Sequence, residues 1–209
     1  MGKKFWRVIS VHWKDNLLLY MVIILFLLLG ILAGALGAKT LSSKQEGELI
    51  EYLNRFAASF TSVEVEPGIL VRQSLLTNLK LLGIVWFLGL TVLGAPLILL
   101  VIAAKGFYLG FTAGFLIQEK GMAGILLTAL ALLPQNIFNL PALVAAGVTA
   151  ASFSFWLFKG RVKERNKKLS QQFLIYTLLL GSLAGFILLG SLLEAYLTPQ
   201  LIKMVIMYL

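Results

Sequence analysis

Long apolar runs separated by short charged clusters dominate the chain. Five stretches long enough to matter contain no Asp, Glu, Lys or Arg: 16–38, 81–104, 106–118, 121–158 and 169–193. A helix rises about 1.5 Å per residue and the hydrocarbon core of a bilayer is about 30 Å thick, so about 20 apolar residues make one crossing. The first and last stretches each predict a single transmembrane helix. Lys105 alone interrupts 81–118, and Gly94-Ala95-Pro96 sits part-way along it. Proline lacks the helix N–H and its ring clashes with the preceding turn, so this tripeptide predicts a tight turn between helices at 79–95 and 96–117. A second reading ends one long helix at Lys105 and leaves 106–118 as a short re-entrant segment. The stretch 121–158 is too long for one straight crossing, and Pro134 and Pro141 enclose Gln135, Asn136 and Asn139 within it. A break near 134–141 is expected there, either as a turn at the membrane surface or as a buried broken helix at a cavity.

The resulting fold class is an all-α, polytopic membrane helix bundle with about five transmembrane helices, at 17–38, 79–95, 96–117, 122–158 and 173–197, the fourth broken by its prolines. Basic residues flanking the spans give the orientation, because cytoplasmic loops carry the excess of Lys and Arg. Residues 1–16 hold Lys3, Lys4, Arg7 and Lys14 against Asp15, interleaved with Phe5, Trp6 and Trp13, as in an amphipathic segment lying at the cytoplasmic headgroups. The loop 159–172 holds Lys159, Arg161, Lys163, Arg165, Lys167 and Lys168 against Glu164, and is also expected to be cytoplasmic. The segment 39–78 is nearly balanced in charge and suits the outer side. It is expected to be helical, with Leu49, Tyr52, Leu53, Phe56 and Phe60 forming one stripe at spacings of three and four. That stripe is either a docking surface for an extracytoplasmic partner or an apolar face lying on lipid. The N-terminus falls inside, and the tail 198–209 outside.

Composition sharpens this picture. Hydrophobic residues make up 59% of the 209 and charged residues 13%, against about 25% charged in soluble domains. The absence of cysteine excludes a thiolate metal site, and a single histidine, His12, with no acidic cluster inside an apolar run speaks against a zinc site or a Ser-His-Asp triad. The chain is therefore expected to be no enzyme, with no catalytic residue, cofactor or metal. The net charge of +9 flanks apolar runs instead of forming a stripe among exposed aromatics, so it speaks for membrane lipids and not for nucleic acid. Candidate polar positions are Lys105, Gln135, Asn136 and Asn139, with Pro134 and Pro141 shaping the backbone around them. Lys105 should face protein or water, since a charge at the bilayer centre costs about 2.5–3.5 kcal/mol on insertion scales. Glu194, near the outer end of the last span, is the one acidic residue in any of the spans. Glycines recur four apart at Gly30 and Gly34, at Gly106, Gly110 and Gly114, and at Gly181 and Gly185. Small residues at this spacing let helices approach closely in lipid, and the Gly106 series is the strongest such signal. It favours packing within the chain and leaves a homo-oligomer open.

The order of elements resembles the stage II sporulation protein M family across nearly the whole chain. Two stretches carry the likeness. One begins at Thr77-Asn78-Leu79 and passes through Phe87-Leu88-Gly89 and Leu93-Gly94 to Lys105-Gly106-Phe107-Tyr108-Leu109-Gly110. The other is Leu133-Pro134-Gln135-Asn136-Ile137-Phe138-Asn139-Leu140-Pro141-Ala142. Wider relatives tend to carry His-Gly after the first proline and Glu before the second; here Gln135-Asn136 and Asn139 stand instead, so a proton- or ion-linked role for that His and Glu has no counterpart in this stretch. The resemblance implies a non-enzymatic scaffold in the mother-cell membrane at the sporulation septum. Its implied partners are the peptidoglycan-degrading stage II sporulation proteins D and P, during septal thinning and engulfment. A small transporter or channel using the polar positions is the competing expectation.

Overall fold

The computed structural model of the chain describes residues 16–62, 67–158 and 169–206, with side chains described except at 53–54, 56–62, 67, 198–199 and 201–206. Six helices follow one another: α1 (Leu17–Ala38), α2 (Ser43–Ser62), α3 (Pro67–Gly89), α4 (Gly94–Lys120), α5 (Met122–Phe158) and α6 (Leu169–Ile206). There is no strand among the described residues. Five of the helices are long and apolar enough to cross a membrane: Leu17–Ala38, Gly68–Gly89, Gly94–Lys120, Met122–Phe158 and Leu169–Leu197. The interfacial segment expected at 1–16 lies outside the described residues apart from its last position, as do most of the basic loop and the end of the tail.

The turn between α3 and α4 falls at 90–93, just ahead of Gly94-Ala95-Pro96, and not within it. Pro96 therefore sits in the first turn of α4, where the N–H it lacks would have had no intrahelical partner. Pro67 opens α3 for the same reason. Helix α3 begins well before the expected position 79, because Arg72, Gln73, Ser74, Thr77 and Asn78 continue the helix instead of ending it. Helix α4 passes unbroken through Lys105, so 106–118 is not a re-entrant segment. At its far end one residue, Gly121, turns the chain into α5 with φ +56° and ψ −127°. Only glycine enters that region without a Cβ penalty. Its N–H closes α4 on Ile117 O at 2.9 Å.

The expected break in the fourth span is not there. Helix α5 runs 37 residues without interruption, with Pro134 and Pro141 inside it. Each proline removes one donor, but in a helical membrane protein packing and side-chain hydrogen bonds compensate, so prolines interrupt such helices less than they do in water. The Asn136 amide adds a local bond to Leu132 O at 2.7 Å, although the carbonyls that lose a donor to the prolines are those of Leu130 and Ile137.

Helix directions follow from which residues meet. Gly30 and Gly34 of α1 face the backbone of Ala103 and Phe107, while Gly106, Gly110 and Gly114 of α4 face Leu27, Ile31 and Ala35. Residue numbers rise together, so α1 and α4 are parallel, and each helix's glycines receive the other's main chain. Helix α5 is antiparallel to α4, since Ala95 meets Ser154 and Gly124 meets Leu116. Helix α6 is antiparallel to α3 and α5, since Ser74 meets Ser191, Trp86 meets Thr177 and Phe153 stacks on Tyr176 at 4.4 Å. The five long helices thus alternate in direction. The start of α1 and the α5–α6 junction lie at one end of the bundle, and α2 joins the bundle at the other. The shared core holds Ile23, Val85, Ile98, Ile102, Ala146 and Leu180, while Leu25, Leu28, Leu29, Leu32 and Leu36 stay exposed along α1, as a lipid-facing surface requires.

Candidate functional site

Polar side chains gather inside the bundle on the half nearer α2. Ser74 and Asn78 lie one turn apart on α3, and Gln135 and Asn139 one turn apart on α5. Residues four apart share a helix face, so each helix offers two polar groups at two depths. Ser191 and Glu194 complete the outer layer from α6, and Lys105 enters the deeper layer from α4.

In the outer layer the Glu194 carboxylate is held by donors from two helices. The Ser74 hydroxyl donates to Glu194 Oε2. The Gln135 amide, set with its nitrogen inward as its neighbours require, donates to both carboxylate oxygens, at 2.9 Å to Oε1. The Ser74 and Ser191 hydroxyls are 3.2 Å apart, and Asn78 Nδ2 donates to Ser74 O at 3.1 Å. Ser191 is fully buried and Ser74 and Asn78 nearly so. Unpaired, a carboxylate would be costly in this setting; charge-assisted donors are what make it tolerable.

In the deeper layer a cavity of about 10 Å³ is lined by Asn78, Lys105 and Asn139 together with Leu81, Leu82, Leu143 and Ile187. Asn139 is 5% exposed and packs against Gly190, where any Cβ would strike its amide. Its Oδ1 is buried and receives no hydrogen bond. Lys105 Nζ lies 5.7 Å from the ring centroid of Tyr108, within cation–π range. Among the described residues, no carboxylate oxygen stands within 4.0 Å of Lys105. The ion pair at that range among the described residues is Arg55–Glu51, which is exposed on α2.

Of the polar positions singled out in the sequence, Lys105, Gln135 and Asn139 come together here. Asn136 is turned to its own helix, Pro141 is exposed on the outer face of α5, and Pro134 is half-buried. Ser74, Asn78, Ser191 and Glu194 are equal members of the centre and were not among the candidates. Two signals for them exist in the chain: the four-residue spacings 74/78 and 135/139, and a lone carboxylate in otherwise acid-free spans. Of the expected partner stripe, Tyr52 is 69% exposed and Leu49 half-buried. The side chains of Leu53, Phe56 and Phe60 lie outside the described residues.

These features define a class: a polytopic membrane bundle of alternating helices, closed by glycine contacts, with a charged polar centre inside and an amphipathic helix outside. The profile of stage II sporulation protein M matches residues 22–199, which takes in all five long helices and the polar centre. The chain belongs to the stage II sporulation protein M family, and with that it is a sporulation-related membrane protein. No curated protein and no solved structure matches it.

Proposed function

We propose that the chain is a non-enzymatic membrane scaffold. In this reading it recruits and localises peptidoglycan-degrading partners, stage II sporulation proteins D and P, for septal wall thinning and forespore engulfment. The observation that carries the reading is α2. This 20-residue amphipathic helix stands between the first two spans and touches the bundle only slightly, at α6, with Glu46 facing Glu119 at the end of α4. Among its described side chains, the exposure of Tyr52 offers surface to another molecule. Family membership supports the sporulation setting.

The test is to replace Leu49 and Tyr52 with lysine in sporulating cells and to follow a fluorescently tagged hydrolase partner. Loss of septal focus with normal membrane levels of the variant is the expected result, and an unchanged focus excludes α2 as the docking surface. A small transporter or channel is favoured by one observation, the charged centre in the membrane interior. Vesicles containing the purified chain decide between the two: solute flux abolished by Lys105→Met would favour transport, and absence of flux from the parent would remove it.

A further inference from the structure

We propose that a single water molecule is a built-in part of the deeper polar layer, bound between Lys105 Nζ, Asn139 Oδ1 and Asn78. A Lys ammonium offers three donors and no acceptor, and among the described residues Lys105 has the Tyr108 ring beside it but no hydrogen-bonded oxygen. It sits 11 residues beyond Gly94, about 16 Å along a helix about 40 Å long, too deep for a side chain of that length to reach either surface easily. Asn139 presents the complementary lack: a buried acceptor with no donor, in a residue 95% buried by its 5% exposure. Both line the same cavity, whose volume of about 10 Å³ is that of about one water-sized probe, the smallest space that holds a water. A buried water requires two to four polar partners, and Lys105, Asn139 and Asn78 supply one donor group and two amides. Leu81, Leu82, Leu143 and Ile187 supply the apolar lining of the same cavity. Through Asn78, which donates to Ser74 O and lies 3.4 Å from Ser74 Oγ, the water joins Lys105 to the donors of Glu194. One hydrogen-bonded network then carries both charges of the bundle interior. The joined pair of charges holds α4, which has no direct side-chain hydrogen bond to the outer layer, to α3, α5 and α6.

Water-to-protein magnetisation transfer in solid-state NMR, on the full chain in lipid bilayers with labelled Lys and Asn side chains, tests this. Rapid transfer to both the Lys105 ammonium and the Asn139 amide is expected. In Lys105→Met, transfer to the Asn139 amide should fall severalfold as the strongest donor leaves. Transfer to Lys105 without Asn139 would mean that the lysine reaches headgroup water instead, and transfer to neither would mean a dry cavity; both overturn the proposal. Unchanged transfer to Asn139 in Lys105→Met overturns the bridge. Should that variant fail to fold, the two-site measurement on the parent chain decides alone.

Discussion

At Gly110 a Cβ would lie against the main chain of Ile31, and backbone, unlike a flexible side-chain tip, has no easy way to give. Gly110→Ala is therefore expected to force α1 and α4 apart and cost about 1–3 kcal/mol, the usual range for overpacking. Gly181→Ala and Gly185→Ala, with nothing within 4 Å of the added carbon, should stay within about 0.5 kcal/mol. Unfolding of the purified chain in detergent, by heat or denaturant, separates the two classes; equal losses at all three sites would show that contact with the Ile31 main chain does not set the effect, because helix propensity alone favours alanine over glycine. Ser154 makes a comparable case with hydrogen bonds. Fully buried on α5, its Oγ accepts from Ala95 N–H at 3.2 Å and donates to Thr91 O at 2.8 Å, fastening the α3–α4 turn from a third helix. Ser154→Ala leaves a buried N–H without its partner and should cost about 1–3 kcal/mol. Ser182→Ala, which removes an exposed hydroxyl bonded to Leu179 O in its own helix, is the control expected to change little by the same assay.

Elements that depend on local hydrophobic length are legible in the chain. The span 17–38 coincides with α1 because twenty-odd apolar residues between charged flanks admit one solution in lipid. What misleads is proline. In water a proline inside a helix costs about 3 kcal/mol relative to alanine, and two of them in α5 argue for a break; packed among other helices, the same backbone stays helical. Pro141 is exposed on the lipid side, so Pro141→Ala removes no core contact and restores a donor for Ile137 O. It is expected to hold or raise stability, with new protection of residue 141 in amide exchange. A loss above about 1 kcal/mol would show that α5 carries a bend on which the fit of Asn139 against Gly190 depends. The polar centre was half legible for a different reason. Lys105, Gln135 and Asn139 stand out within their own apolar runs, but Ser74 and Asn78 lie in a stretch polar enough to pass for an outer segment. Only the antiparallel packing of α3 on α6 brings them to Glu194.

Across the whole molecule, alternation of helix direction fixes something no single helix does. Antiparallel contacts of α5 with α4 and of α6 with α3, together with the parallel pair α1 and α4, put position 16 and the junction 158–169 at one end. Both are bordered by the strongly basic segments, 1–14 and 159–168. Charge bias and packing are independent observations, and they require the same even number of crossings between those segments. By the lipid rule for Lys and Arg, that end is expected to be the cytoplasmic one. Helices α5 and α6, of 37 and 38 residues, would each be about 55 Å long if straight, well beyond the roughly 40–45 Å of a bilayer with its headgroups. They must tilt or project beyond it. Because the chain has no native cysteine, single cysteines report sidedness without background. Reporters at Gln118 and Gln200 are expected to react with an impermeant thiol reagent applied from outside, and one at Asn166 only after the membrane is opened. A reporter at Asn139 should resist the reagent from either side. Labelling of Asn166 from the same side as Gln118 would contradict the alternating bundle, whereas exchange of the two patterns would keep the bundle and invert it in the membrane.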